Sequence, residues 1–366
     1  MNMPLGTFRK ILVATDFSPA AETALEQAVA LARGCDAQVT VVHVIKNVHT
    51  TLQLMAYAPA WGPASEELAE RERALRWQAR EKLQALIAPD EAAGVRIRQE
   101  VLVGAPFIEI IHAVQLGAYD LVVTGTRGQP ALKRALVGST ATKLARKCPC
   151  PVWIARLREN STSRCVLAPV DFSDVSHRTA ALAASLAASS GATLHLLHVY
   201  DMADLEGVPV PPEDNKAEFL RNRRQMRLAA LDQLRQLSES LSPKPDKTTL
   251  NVAPGIPWQV IRAATRRAGA DLIVMGSVGR GGIPGLLIGN TAEKVLHTTD
   301  VSLLIVKPNG FASPVPPLEK IISKQPERQP TARQSNSAIQ WPRSYSASRR
   351  TIDMSHATSN GFWQAI

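Results

Sequence analysis

The chain has 366 residues, 45% hydrophobic and 20% charged, which is enough for two globular domains with their own cores. Aromatic residues make up only 5%, so those cores must be aliphatic, and no run of about 18 apolar residues exists, so no membrane span is expected. The net charge of +10 comes from Arg-rich helices and a basic tail. No block of like charge with interleaved aromatics occurs, which disfavours nucleic acid as a partner.

From the N-terminus the pattern alternates between strand and helix. Phe8–Ala14 reads as a strand, followed by Asp16 and by Ser18-Pro19, an N-cap and first-turn pair that opens an Ala-rich helix over Ala20–Arg33. Ala37–Ile45 is a second strand. Residues 46–64 read as an irregular loop, and Ser65–Ile87 as a long charged helix. Val95–Val103 is a third strand, and Gly104-Ala105-Pro106 starts a helix through Leu116. Leu121–Thr124 is a fourth, buried strand, Thr140–Lys147 a helix, and Pro151–Ala155 a fifth strand. Strands joined through helices imply a parallel sheet covered on both faces.

Arg156–Arg164 is polar and reads as a linker, after which the order repeats. Asp171 lies 155 residues after Asp16, and His198-Val199 lies 155 after His43-Val44. Gly255-Ile256-Pro257 lies 151 after Gly104-Ala105-Pro106, and Val301–Val306 matches the fifth strand at the same offset. The second long helix spans Glu218–Leu241 and is Arg-rich at its start. The predicted organisation is a domain over 1–158, a second over 159–308, and a disordered basic tail over 309–366 rich in Pro, Ser, Gln and Arg. The fold class is α/β: two tandem open parallel five-stranded sheets with helices on both faces.

Four cysteines over this length suggest no disulfide framework and a reducing compartment. Cys148-Pro149-Cys150 has neither the spacing nor the histidines of a metal or redox site and reads as structural. Met1–Lys10 lacks a long apolar stretch, so no signal peptide is expected and the expected location is the cytoplasm.

One stretch carries chemistry. Gly125-Thr126-Arg127-Gly128, nine residues and Gly138-Ser139-Thr140 run from the end of a buried strand to a helix start. A helix N-terminus offers free N–H groups and a positive dipole end to an anion. Glycines at Gly125 and Gly128 permit close backbone approach to a ligand, and Ser139 and Thr140 can cap the helix or donate to a phosphate. Lys133 and Arg134 lie in the nine-residue excursion and can add positive charge. The motif recurs 151 residues later as Gly276-Ser277-Val278-Gly279, nine residues and Gly289-Asn290-Thr291. Two copies in matching contexts are a much stronger signal than one.

The spacing Gly-x2-Gly-x9-Gly-Ser, with Asp16 just after the first strand, resembles the universal stress protein family, and two such domains resemble its tandem members. The resemblance covers roughly residues 8–307. It implies an adenine nucleotide alpha hydrolase-like, Rossmann-like fold with ATP at the carboxyl ends of the strands. It also implies adenine contacts at Asp16 and Val44, and phosphate and ribose contacts at Gly125, Arg127, Gly128, Gly138, Ser139 and Thr140. No magnesium ligand is assignable, although ATP ordinarily brings the ion. Plainer readings stand beside these. Asp16 would also open the turn into its helix, Gly138-Ser139 would also be a simple helix start, and His43 and His198 would pack at strand ends rather than bind metal.

The second copy departs from the pattern, with Asn290 for the serine, Val278 for Arg127 and a Gly-rich, apolar excursion. Its remaining contacts would be Asp171, Val199, Gly276, Gly279, Gly289 and Thr291. A degenerate or differently liganded site fits there equally.

Three functional classes follow: an ATP-binding stress-response sensor or switch, an interaction module or apolar-ligand carrier without nucleotide, and an enzyme. The absence of GxxxxGK[ST] and GxSxG, and of an evident acid–base pair near the motif, disfavours the enzyme. In single-domain members the last strands resemble a dimer seam. Val152–Ala155 and Leu303–Val306 are apolar enough to pair within this chain as a pseudo-dimer, and protein partners are compatible with this reading.

Overall fold

The first strand, β1 (Lys10–Thr15), is buried at every position after Lys10, which only a central strand allows. Around it the first half places β2 (Gln38–Ile45), β3 (Ile97–Val103), β4 (Leu121–Gly125) and β5 (Val152–Ala155). The second half places β6 (Cys165–Val170), β7 (Thr193–Tyr200), β8 (Thr248–Pro254), β9 (Leu272–Gly276) and β10 (Ser302–Val306). The helices are α1 (Pro19–Cys35), α2 (Ala64–Ala92), α3 (Pro106–Gly117) and α4 (Ser139–Lys147), then α5 (Asp174–Ser190), α6 (Lys216–Ser240), α7 (Pro257–Ala268) and α8 (Asn290–Thr298). The computed structural model describes residues 8–46, 64–92, 94–126, 137–156, 165–200, 216–279 and 287–318.

The strand order is β3-β2-β1-β4-β5-β10-β9-β6-β7-β8. The two expected five-stranded sheets are therefore one ten-stranded sheet. Neighbours pair in parallel everywhere except at the centre, where β5 and β10 run antiparallel with Leu303 opposite Ile154, Leu304 opposite Trp153 and Ile305 opposite Val152. The reason is physical. An apolar last strand in each half leaves an edge of unpaired N–H and C=O groups, and the two edges satisfy one another. The seam also carries polar stitches. The Trp153 indole donates to Gln27 Oε1 at 2.8 Å, and the Ser302 hydroxyl donates to the same oxygen at 3.2 Å.

The sheet is covered on both faces. Leu25 of α1, Leu83 of α2, Leu182 of α5 and Leu234 of α6 join one buried cluster. Ile111 of α3, Leu144 of α4, Ile261 of α7 and Leu296 of α8 join the other. After β10 the chain returns to the first half. Val315 is buried, its carbonyl accepts from Gln115 Nε2 at 3.1 Å, and the Pro316 carbonyl lies 3.2 Å from His112 Nε2. Residues 319–366, most of the expected tail, lie outside the described residues. Among the described residues no helix is long and apolar enough to cross a membrane.

Candidate functional site

In each half the strand order reverses direction next to the first strand: β1 is flanked by β2 and β4, and β6 by β7 and β9. Loops leaving neighbouring strands there diverge to opposite faces and open a crevice at the carboxyl ends. A pocket of about 460 Å³ lies there in the first half and one of about 560 Å³ in the second.

The first pocket gathers Asp16 from the end of β1, Val44 and Lys46 from the end of β2, Gly125 and Thr126 from the end of β4, and Gly138, Ser139 and Thr140 at the start of α4. Gly125 has a specific packing reason. A Cβ there would lie 2.6 Å from the Ala20 carbonyl carbon, so only glycine lets β4 end against the first turn of α1. Gly138, not Ser139, is the N-cap of α4, and no side chain caps that helix. The sequence reading allowed Ser139 and Thr140 to cap. They instead occupy the first helical turn, and Ser139 stands exposed on the pocket wall. The leading N–H groups of α4 are thereby left without a side-chain partner at a positive dipole end.

Asp16 opens the turn into α1 and also faces the pocket. Its Oδ1 accepts from the Ser18 N–H at 3.2 Å, which starts α1, and its exposed carboxylate lines the pocket. Between them sits Phe17, with a φ of 61°, a left-handed conformation that costs a non-glycine residue roughly 1 kcal/mol or more. Phe172 repeats this at 61° in the second half. Each ring packs on a histidine, Phe17 on His43 and Phe172 on His198, at 4.5 Å between centroids. The His43 Nδ1 lies 2.9 Å from the Thr15 carbonyl, and the His198 Nδ1 lies 2.8 Å from that of Val170. Burial holds the His43 imidazole below its ordinary range, against the Thr15 carbonyl and Asp16, which pull the other way. Both histidines sit at strand ends, and no group of three or more metal-ligating side chains occurs among the described residues. Arg127, Gly128, Lys133 and Arg134 lie outside the described residues.

The second pocket gathers Asp171, Val199, Gly276, Gly279, Gly289 and Thr291, so the repeat brings its expected contacts together too. Its walls differ. Val170 and Met275 stand where the first half has Thr15 and Thr124, while Leu197, Val199 and Ile261 match Val42, Val44 and Ile110 of the first pocket. Asn290 occupies the first turn of α8 behind the N-cap Gly289. The Asp171 carboxylate accepts from both the N–H and the hydroxyl of Ser173, and its other oxygen lies 2.5 Å from where a Gly279 Cβ would be.

Two further residues escaped sequence reading. Arg156, read as the start of a solvated linker, is 6% exposed, and Lys307 is 3% exposed. Both follow a last strand and both reach into the opposite half. Their common offset of 151 was the available signal.

The profile of the Universal stress protein family matches residues 7–156 and 163–307. Universal stress protein E of Photorhabdus laumondii is 28% identical over 233 residues, 61% of this chain and 73% of that protein. Universal stress protein Mb2028c of Mycobacterium bovis is 27% identical over 276 residues, 73% of this chain and 86% of that protein. Among solved structures, a universal stress protein from Archaeoglobus fulgidus superposes with a TM-score of 0.53 at 22% identity, over 81% of this chain and 98% of its own. Protein PA1789 of Pseudomonas aeruginosa, described as functionally unknown, gives the same TM-score and identity over 83% of this chain and 94% of its own. Two matched segments, a repeated glycine motif and a repeated five-strand order agree: the chain belongs to the universal stress protein family and carries two of its domains in tandem.

Proposed function

We propose that the chain is a stress-response protein that binds an adenine nucleotide, ATP, in its first half and acts as a ligand-dependent switch rather than as an enzyme. The observation that carries this reading is the convergence of Asp16, Val44, Gly125 and the uncapped start of α4 on one crevice of about 460 Å³. The leading N–H groups of α4 and the Ser139 and Thr140 hydroxyls are donors suited to phosphate oxygens. Asp16 is an acceptor suited to a nucleoside N–H or hydroxyl, and Lys46 adds a cation at the rim. Asp16 is the only carboxylate among the described residues lining this pocket, so a magnesium ion would be held mainly by the nucleotide's own phosphates. The same scarcity of titratable side chains among the described lining residues supports a binder over a hydrolase. Val170 and Met275, in place of Thr15 and Thr124, make the second pocket the more apolar and favour a ligand there less charged than ATP.

The test is the nucleotide content and ATP affinity of purified full-length protein. Gly138 has φ and ψ of −65° and 156°, which valine also adopts, so Gly138→Val fills the pocket mouth without straining the backbone. The expected outcome is about one ATP per chain, lost on Gly138→Val and kept on Gly289→Val. Absence of ATP binding to the unaltered protein would sink the nucleotide reading in favour of an interaction module or apolar-ligand carrier.

A further inference from the structure

The helices that face the two pockets each end in the other half's grasp. The buried ammonium of Lys307, the residue after β10 in the second half, donates to the Ala145 carbonyl at 2.5 Å and the Arg146 carbonyl at 2.9 Å. Those are the last-turn carbonyls of α4 in the first half. Reciprocally, the buried guanidinium of Arg156, the residue after β5 in the first half, donates to the Leu296 carbonyl at 2.9 Å, in the last turn of α8 in the second half. Lys307 is 151 residues from Arg156, and Leu296 is 151 from Ala145, so the two contacts are one contact made twice across the seam.

The chemistry is that of a C-terminal helix cap. The last carbonyls of a helix have no intrahelical donors and carry the negative end of its dipole, and a cation there satisfies both. Here the cap is supplied from outside the half that owns the helix. The Lys307 ammonium also donates to the Leu287 carbonyl at 3.3 Å, two residues before Gly289 in the second pocket. One side chain thus ties the far end of the first pocket's helix to the rim of the second pocket. The Arg146–Glu293 ion pair joins α4 to the first turn of α8 beside it. Burial pushes Lys307 down to about 8 while the Cys148 and Cys150 thiols pull it up, so it remains mostly protonated at neutral pH.

We propose that Lys307 and Arg156 are crossed positioning residues: each holds the pocket helix of the opposite half, so that each pocket is complete only in the presence of the other half. The dependence is carried along α4 itself, roughly 10 Å from the Lys307 contact at Ala145 and Arg146 to the N–H groups that face the first pocket.

This rests on the nucleotide reading for its affinity arm only. The experiment is hydrogen exchange on full-length Lys307→Met and Arg156→Met, together with ATP titration. Lys307→Met should speed exchange in 139–147 at least tenfold with a smaller change in 290–298, and Arg156→Met should do the reverse. ATP Kd should rise at least fivefold in Lys307→Met and stay within twofold in Arg156→Met, with Lys307→Arg restoring most of the loss. A general destabilisation would raise exchange in both helices alike, and that result, or no change in either, overturns the proposal. Should Lys307→Met not fold, Lys307→Gln is read by the same criteria. If the unaltered protein binds no ATP, the nucleotide reading fails and the exchange pattern alone decides the clamps.

Discussion

His43 sits beneath Phe17 at the first pocket's edge, and its environment favours the neutral imidazole. Burial lowers its proton affinity below the ordinary 6.5, so the unfolded chain takes up the proton first as pH falls. The sign follows: this contribution to stability is intact above pH ~6.5 and is lost as pH drops through and below that value. Denaturant midpoints should therefore fall between pH 7.5 and 5.5. Less of that fall should remain in His43→Gln, and an equal fall in both proteins would remove His43 as its source. Asp16 shows that a helix-opening role leaves a carboxylate available, since one oxygen starts α1 and the carboxylate still faces the pocket. Lys307 and Arg156 show the opposite limit. A lone cation after an apolar strand looks solvated in sequence, because the carbonyls that make its burial tolerable belong to residues more than 100 positions away.

At the scale of elements, the repeated strands were legible because buried parallel strands must be continuous apolar runs, and both copies of β1, β4 and β5 are. The helix start at Ser18 was plain in sequence, and the hydroxyls of Ser18 and of its repeat Ser173 both accept from the helix N–H three residues on. The start of α4 was read to within one residue, but its cap was not. Serine is a strong cap by propensity, yet Gly138 takes the capping position, with its N–H bonded to the Thr126 carbonyl at the end of the glycine turn. That tie across the excursion, not the local preference, sets where the helix begins. The β5–β10 seam makes its own prediction. Leu304 is fully buried, with β5 on one side and β9 on the other. Leu304→Ala should cost about 2–5 kcal/mol of unfolding free energy in a chemical denaturation series. A cost below about 1 kcal/mol would mean that the seam contributes little.

At the scale of the molecule, one sheet crosses both halves, and buried clusters on each of its faces draw residues from both. Two domains in a row ordinarily suggest two independent melting events. A shared sheet and crossed caps predict one. Scanning calorimetry of the full chain should show a single transition whose calorimetric and van't Hoff enthalpies agree. Two resolved transitions would show that the halves unfold separately. The tandem arrangement could be read from the offset between copies, which changes only once, from 155 to 151, and the pairing of the last strands from their apolar character. The register of that pairing, with Leu303 opposite Ile154 and Ile305 opposite Val152, was not evident, because it depends on two edges meeting in space and no local pattern records that.

The antiparallel seam also changes how the protein responds to its own abundance. A contact between separate subunits forms or dissolves by mass action, so dilution weakens whatever depends on it. Here a covalent tether holds the two edges at high effective concentration. The pairing of the two edges is then the same in a cell with few copies as in one with many.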